Sequence, residues 1–279
     1  MAEAVGSWEF SAHDLSDDEL QYAAFLMLEH TLGMPQLEKW RLSTGEVTQR
    51  QSMQGPEDLH AHRADDLKSF LAASRAAYND FVVYHNFRHV VDVLQAVFTF
   101  LVQIGTLPPY PADQRPTQPA TAPSAIATLL TPFDALTLLI SAIGHDVGHP
   151  GVNNAFLVSL NSPLAQLYND RSVLEAFHCA AYSQILRRYW KAAFEDSGMR
   201  KLLINSILAT DMGVHFKYMS DLGNLQQKLH DNGNTTDGWS PQMLDEYRTL
   251  ACGLLIKCAD ISNVVSNIER QRASQADGR

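Results

Sequence analysis

The sequence predicts an all-α fold. Apolar residues recur at helical spacing along most of the 279 residues, strand-like alternation is absent, and no internal repeat period appears. With 46% hydrophobic residues, the chain can bury the core of one large domain or two small ones.

The elements follow in order. Ser16-Asp17-Asp18-Glu19 reads as a helix start, and Leu20, Ala23, Ala24, Met27 and Leu28 then mark one apolar face that Leu32-Gly33-Met34-Pro35 ends. A second helix is expected from Asp58 through Tyr78 and a third from about Asn86 to Ile104. Residues 107–124 hold six of the twelve prolines and read as a solvated surface loop. Pro132-Phe133-Asp134 opens a helix whose body, Ala135 to Ile143, is apolar nearly all round and therefore belongs at the centre of a domain. Pro150-Gly151 breaks the chain beyond it. Ser172 to Phe194 is expected as one long helix with Val173, Leu174, Phe177, Ala181, Ile185 and Tyr189 facing inward. Met199 to Asp211 and Gln242 to Asp260 complete the set, separated by the loop Asp231 to Gly238.

Composition excludes several classes of function. The net charge is -10, with 21 basic against 31 acidic residues and no basic run, which argues against a nucleic-acid or anionic-membrane surface. No apolar run reaches membrane-spanning length, and the N-terminus lacks a secretory pattern. Three cysteines without a C-x-x-C pair argue against a disulfide framework or a thiolate zinc site. A cytoplasmic protein is the expectation.

Two segments carry chemistry. Tyr84-His85-Asn86-Phe87-Arg88-His89 and His145-Asp146-Val147-Gly148-His149-Pro150-Gly151 each place two histidines four residues apart, a spacing that puts a pair on one helix face. Imidazole and carboxylate are the ligands of hydrolytic divalent metal sites, and a buried His-Asp pair is costly unless paired or metal-bound. Asp260 ends another apolar helix. If these residues converge, a second cation sharing Asp146 would make a two-metal centre in which a bridging hydroxide attacks phosphorus. His85, one turn from His89, could then protonate the leaving alkoxide. From spacing alone, Glu175 is equally a solvent-facing helix residue, while Asn154 and Asn263 stand where helix caps are useful. His178 shares a face with Glu175 and receives no role.

Five motifs occur in order: Tyr84-His85-Asn86-x-x-His89 with Val91-Asp92-Val93, His145-Asp146-x-x-His149-Pro150-Gly151-x-x-Asn154, Tyr168-Asn169-Asp170-x-Ser172-Val173-Leu174-Glu175, Ala209-Thr210-Asp211-Met212, and Ala259-Asp260-Ile261-Ser262-Asn263. From about Trp8 to Asn263 the chain thereby resembles the catalytic domain of the 3′,5′-cyclic nucleotide phosphodiesterases. That resemblance implies a compact, all-helical fold related to the HD-domain metallohydrolases. It implies that His89, His145, Asp146 and Asp260 bind zinc, and that Asp146 bridges to a second cation, magnesium or manganese. His85 would be the general acid to O3′, and His149, Asn154 and Glu175 an outer shell around the metals. Tyr84 and Met212 would line the nucleotide pocket with Asn263 near the base, which favours cyclic AMP as the small-molecule partner.

The chain departs from the family at three places. Gly148 stands where many relatives carry an acidic residue, and Ala176-Phe177 replaces a more polar pair. After Asn263 the family continues with helices that grip the purine, whereas residues 264–279 here read as an unrelated polar tail without packed structure. A C-terminally shortened phosphodiesterase is the resulting expectation, with self-association through exposed helices. An inactive regulatory fragment and a different HD-type phosphohydrolase are the competing readings.

Overall fold

The computed structural model describes residues 1–42, 56–111 and 125–277, with side chains described for all of these except 56–63 and 263–277. The architecture is helical, with no strand among the described residues. Its helices are α1 (Ala2–Val5), α2 (Asp17–Leu32), α3 (Pro56–Arg75), α4 (Phe87–Gln103), α5 (Pro132–Gly144), α6 (Asn154–Ser159), α7 (Pro163–Leu167), α8 (Val173–Tyr189), α9 (Lys191–Glu195), α10 (Ser197–Ala209), α11 (His215–Asp231) and α12 (Pro241–Asp277). No helix among the described residues is long and apolar enough to cross a membrane.

Helix α5 is the axis of the molecule. Thr131 and Asp134 form a capping box, Pro132 occupies the first turn, and every residue from Asp134 to Gly144 is buried. Helices α2, α4, α8, α10 and α12 pack around it. A helix end leaves carbonyls without partners, and inside a core these must be satisfied. Tyr182 Oη donates to Ile140 O at 2.9 Å, Tyr78 Oη donates to Ile143 O at 2.7 Å, and His145 Nδ1 donates to Ala142 O at 2.8 Å. Gly144 is required here, because a Cβ at this position would lie 2.0 Å from Tyr182 Cδ1.

The predicted boundaries of α2 and α4 agree with the structure to within a residue, and their caps show why. Ser16 and Glu19 form a reciprocal capping box, while the Asn86 side chain accepts from the backbone N–H groups of Arg88 and His89.

Several expectations are corrected. The helix expected over Ser172 to Phe194 breaks at Trp190, whose indole is buried and donates to Trp40 O at 2.8 Å. The most buried residues of α8 are Val173, Leu174, His178, Tyr182 and Leu186, while Ala181, Ile185 and Tyr189 of the expected row are partly buried against the same core. His178 and Tyr182 read as polar in the sequence, yet both are buried because each finds a backbone carbonyl acceptor. Neither histidine pair lies on one helix face. His85 precedes the Asn86 cap, and His145 caps α5 before a turn through Gly148 at φ +76. The backbone of 264–277, expected to be unordered, continues α12 as helix. Most of the proline-rich loop, residues 112–124, lies outside the described residues, as does the side chain of Asn263.

Candidate metal centre

The turn after α5, the start of α4 and the middle of α12 bring four donors together. His89 Nε2 lies 3.0 Å from Asp260 Oδ1 and 3.6 Å from Asp146 Oδ2. His145 Nε2 lies 3.4 Å from Asp260 Oδ1 and 3.5 Å from Asp146 Oδ2. Because His145 Nδ1 donates its proton to Ala142 O, Nε2 is the nitrogen that faces the cluster, and it offers a lone pair once its own proton is displaced. Among the described residues, His145 Nε2 and Asp146 Oδ2 are buried without a hydrogen-bond partner. Buried polar atoms are ordinarily paired, so these two call for an occupant.

The donor set fits a divalent cation. Bonds of about 2.1 Å in a tetrahedral site place neighbouring ligand atoms about 3.4 Å apart, which the four observed separations bracket. The other oxygen of Asp146, Oδ1, faces His178 Nε2 at 3.7 Å, and Asp146, His149 and His178 form a second cluster of donor atoms within 4.8 Å of one another. Asp146 therefore belongs to both groups.

Electrostatics follow from burial and from this crowding. Burial opposes charge on His145, but the carboxylates of Asp146 and Asp260 outweigh it and push its pKa up to about 9. Burial would raise both carboxyls. His145, His178 and His89 hold Asp146 below the usual range, and the contacts with His145 and His89 hold Asp260 far below it. Burial dominates at His149 and His178, lowering both to about 4 and leaving them neutral. His178 Nδ1 donates to Val147 O at 2.8 Å, so its Nε2 is an acceptor. His149 is the opposite tautomer: Gly151 N–H donates to its Nδ1 at 3.0 Å, so Nε2 carries the proton and acts as a donor.

Around this core, the remaining predicted residues divide. His85 stacks on His149 with ring centroids 3.9 Å apart and stands 5.9 Å from the His89 ring. Burial lowers its pKa, opposed by Asp146 and Asp260. Asn154 bridges two elements: its amide donates to Glu175 Oε2 at 2.9 Å, and its carbonyl accepts from Leu174 N–H at 2.8 Å. It caps α8 from outside because Ser172, at φ +41, instead donates its hydroxyl to Asp211 Oδ2. Glu175 is partly buried and its pKa raised by burial, against its bond from Asn154. Tyr84 packs 4.7 Å from the His89 ring and is partly exposed, while Met212 is exposed.

His178 is the functional candidate that sequence reasoning passed over. The available signal was its position four residues before Tyr182, on the face that α8 turns inward. The two departures noted at Gly148 and Phe177 prove to be one packing feature. A Cβ at residue 148 would meet the Phe177 ring at 2.9 Å, and the positive φ there disfavours any other residue.

Comparison with known proteins agrees with this geometry. Residues 84–276 match the family described as 3′5′-cyclic nucleotide phosphodiesterase. The chain is 31% identical over 268 residues to the 3′,5′-cyclic-nucleotide phosphodiesterase regA of Dictyostelium discoideum, covering 94% of this chain and 27% of that protein. It is 34% identical over 222 residues to a human phosphodiesterase named high affinity cAMP-specific and IBMX-insensitive 3′,5′-cyclic phosphodiesterase 8A, covering 74% of this chain and 24% of that one. Among solved structures, yeast caPDE2 in complex with IBMX superimposes with a TM-score of 0.71 at 34% identity, covering 94% of this chain and 47% of that chain. The phosphodiesterase domain of Salpingoeca rosetta rhodopsin phosphodiesterase does so with a TM-score of 0.65 at 25% identity, covering 92% and 64%. The chain thus spans less than half the length of these curated relatives. It belongs to the 3′,5′-cyclic nucleotide phosphodiesterase family.

Proposed function

We propose that the protein hydrolyses a 3′,5′-cyclic nucleotide to the nucleoside 5′-monophosphate. The observation that carries this reading is the convergence of His89, His145, Asp146 and Asp260 beside His85. In the proposed assignment those four residues would hold a zinc ion, and Asp146, which belongs to both donor groups, would help to hold a second ion, magnesium or manganese. When bound, such cations neutralise phosphate charge and bring the pKa of water toward neutrality.

The chain's own groups supply the rest. Water adds at phosphorus and loses one proton to solvent, the P–O3′ bond breaks, and His85 gives its proton to the departing O3′. Burial lowers the His85 pKa and so favours release of its proton, while an anionic phosphate alongside would favour the protonated ring. The His149 ring stacked on His85 holds it in place, and its Nε2–H is a donor toward the same space. Glu175, fixed by Asn154, presents an acceptor at the rim. Tyr84 and Met212 form pocket walls, and Asn263 lies near the base. Cyclic AMP as preferred substrate draws support from the relative named cAMP-specific. Self-association is proposed through Phe216 and Ile261, which are exposed on α11 and α12. A cytoplasmic location is proposed with it.

The test compares the chain with His85→Ala for magnesium-dependent turnover of cyclic AMP. The expected result is a loss of about 10²- to 10⁴-fold in kcat with metal content unchanged. Turnover indifferent to the substitution would remove His85 from the mechanism, and no turnover in either chain would refute the proposed activity.

A further inference from the structure

At the far end of α8 from the metal centre, a cleft of about 300 Å³ opens between α3, the start of α9 and the segment ending at Leu42. Glu175 and Arg188 are thirteen residues apart on α8, which places the cleft about 20 Å from the metal centre. Lys39, Arg41, Arg187, Arg188 and Lys191 line it, and among the described residues Asp66 is its one acidic lining residue. Five of the chain's 21 basic residues thus converge on one cleft of a protein whose net charge is -10.

The cations are not equally compensated. Lys39 pairs with Asp196 at 3.3 Å and Lys191 with Glu195 at 3.6 Å. Arg41 is held by neutral acceptors, donating from Nε to Leu32 O at 2.8 Å and from its guanidinium to Gly33 O at 3.3 Å, so it is fixed in place with its charge intact. Arg187 and Arg188 have no carboxylate within ion-pair distance among the described residues. The Arg188 guanidinium lies 5.3 Å from the Tyr189 ring. Behind them, Trp190 is 1% exposed and bonded to Trp40 O, which makes the wall rigid.

Three guanidinium groups line this one cleft, and the repulsion between like charges so placed would be relieved by a bound anion. Their planar forks match phosphate oxygens in a way that ammonium groups do not. The volume is that of a small-molecule pocket, while a nucleic acid or a membrane would require an extended basic face. We propose that this cleft binds a small phosphorylated molecule through Arg41, Arg187 and Arg188, at a site separate from the metal centre.

Calorimetric titration of the 279-residue chain with inorganic pyrophosphate at constant ionic strength tests this. One saturable site is expected in Asp146→Asn, where the metal centre is disabled, and the same site is expected in the parent chain alongside any binding at the metals. In Arg187→Ala/Arg188→Ala, affinity should fall about tenfold or more, with hydrolysis of cyclic nucleotide unchanged. Arg187→Lys/Arg188→Lys, which keeps the charge and loses the fork, should bind less tightly than the parent; it also serves if the alanine chain fails to fold. Pyrophosphate binding that survives both double substitutions would overturn the proposal. So would binding abolished by Asp146→Asn, or heats that chloride reproduces at equal ionic strength. Because calorimetry does not read turnover, an inactive enzyme leaves this test standing.

Discussion

Gly144→Ala isolates the contact that seats the metal-binding turn. Alanine in place of glycine in a helix ordinarily gains about 1 kcal/mol. Here the new Cβ would stand 2.0 Å from Tyr182 Cδ1, against an ordinary carbon–carbon contact of about 3.5 to 4 Å. The ring must retreat by about 1.5 Å, yet Tyr182 is fully buried and its hydroxyl is bonded to Ile140 O at 2.9 Å. Overpacking costs about 1 to 3 kcal/mol and a broken buried hydrogen bond about 1 to 3 kcal/mol. The clash outweighs the helix gain, for a net loss of about 3 kcal/mol. In a chain of this size that lowers the thermal midpoint by about 5 °C. Urea unfolding of Gly144→Ala, Tyr182→Ala and the double variant measures it. In the Tyr182→Ala background the cost of Gly144→Ala should vanish or reverse, a coupling of about 3 kcal/mol. His145 and Asp146 follow directly, so bound metal per chain should fall as well. An equal cost of Gly144→Ala in both backgrounds would refute the reasoning, since the penalty would then not arise from the ring.

Two further outcomes are expected. Asp146→Asn removes the carboxylate that faces both donor clusters, so elemental analysis should find metal lost from both positions and turnover reduced by about 100-fold or more; full metal content in this variant would contradict the shared role. With Ellman's reagent at pH 8, Cys258, which is exposed, should react first. Burial pushes the Cys179 thiol up to about 12 and raises buried Cys252 as well, so both should react mainly after unfolding; rapid reaction of all three in the folded chain would contradict this packing.

How much was legible beforehand varies by element. Helices α2, α4 and α5 announce themselves through local chemistry, at Ser16 with Glu19, at Asn86 and at Pro132-Phe133-Asp134, and the structure adds Thr131 as the partner of Asp134 in the α5 cap. The family match was legible too, because the five motifs are stretches of contiguous residues. The burial of His178 and Tyr182 on α8 was not, since it depends on carbonyls of Val147 and Ile140, far away in the chain. The break at Trp190 likewise depends on Trp40.

By itself, then, the sequence determined the helical class, the main helix starts, and the residues able to bind metal, because caps, apolar periodicity and ligand chemistry act over a few neighbouring positions. Tertiary structure decided which of those residues meet. His89 and Asp260 are 171 residues apart and come within 3.0 Å only through the packing of α4 against α12. It also decided which imidazole nitrogen each histidine offers, since the carbonyl or N–H that selects the tautomer is supplied by the folded backbone: Ala142 for His145, Val147 for His178, Gly151 for His149.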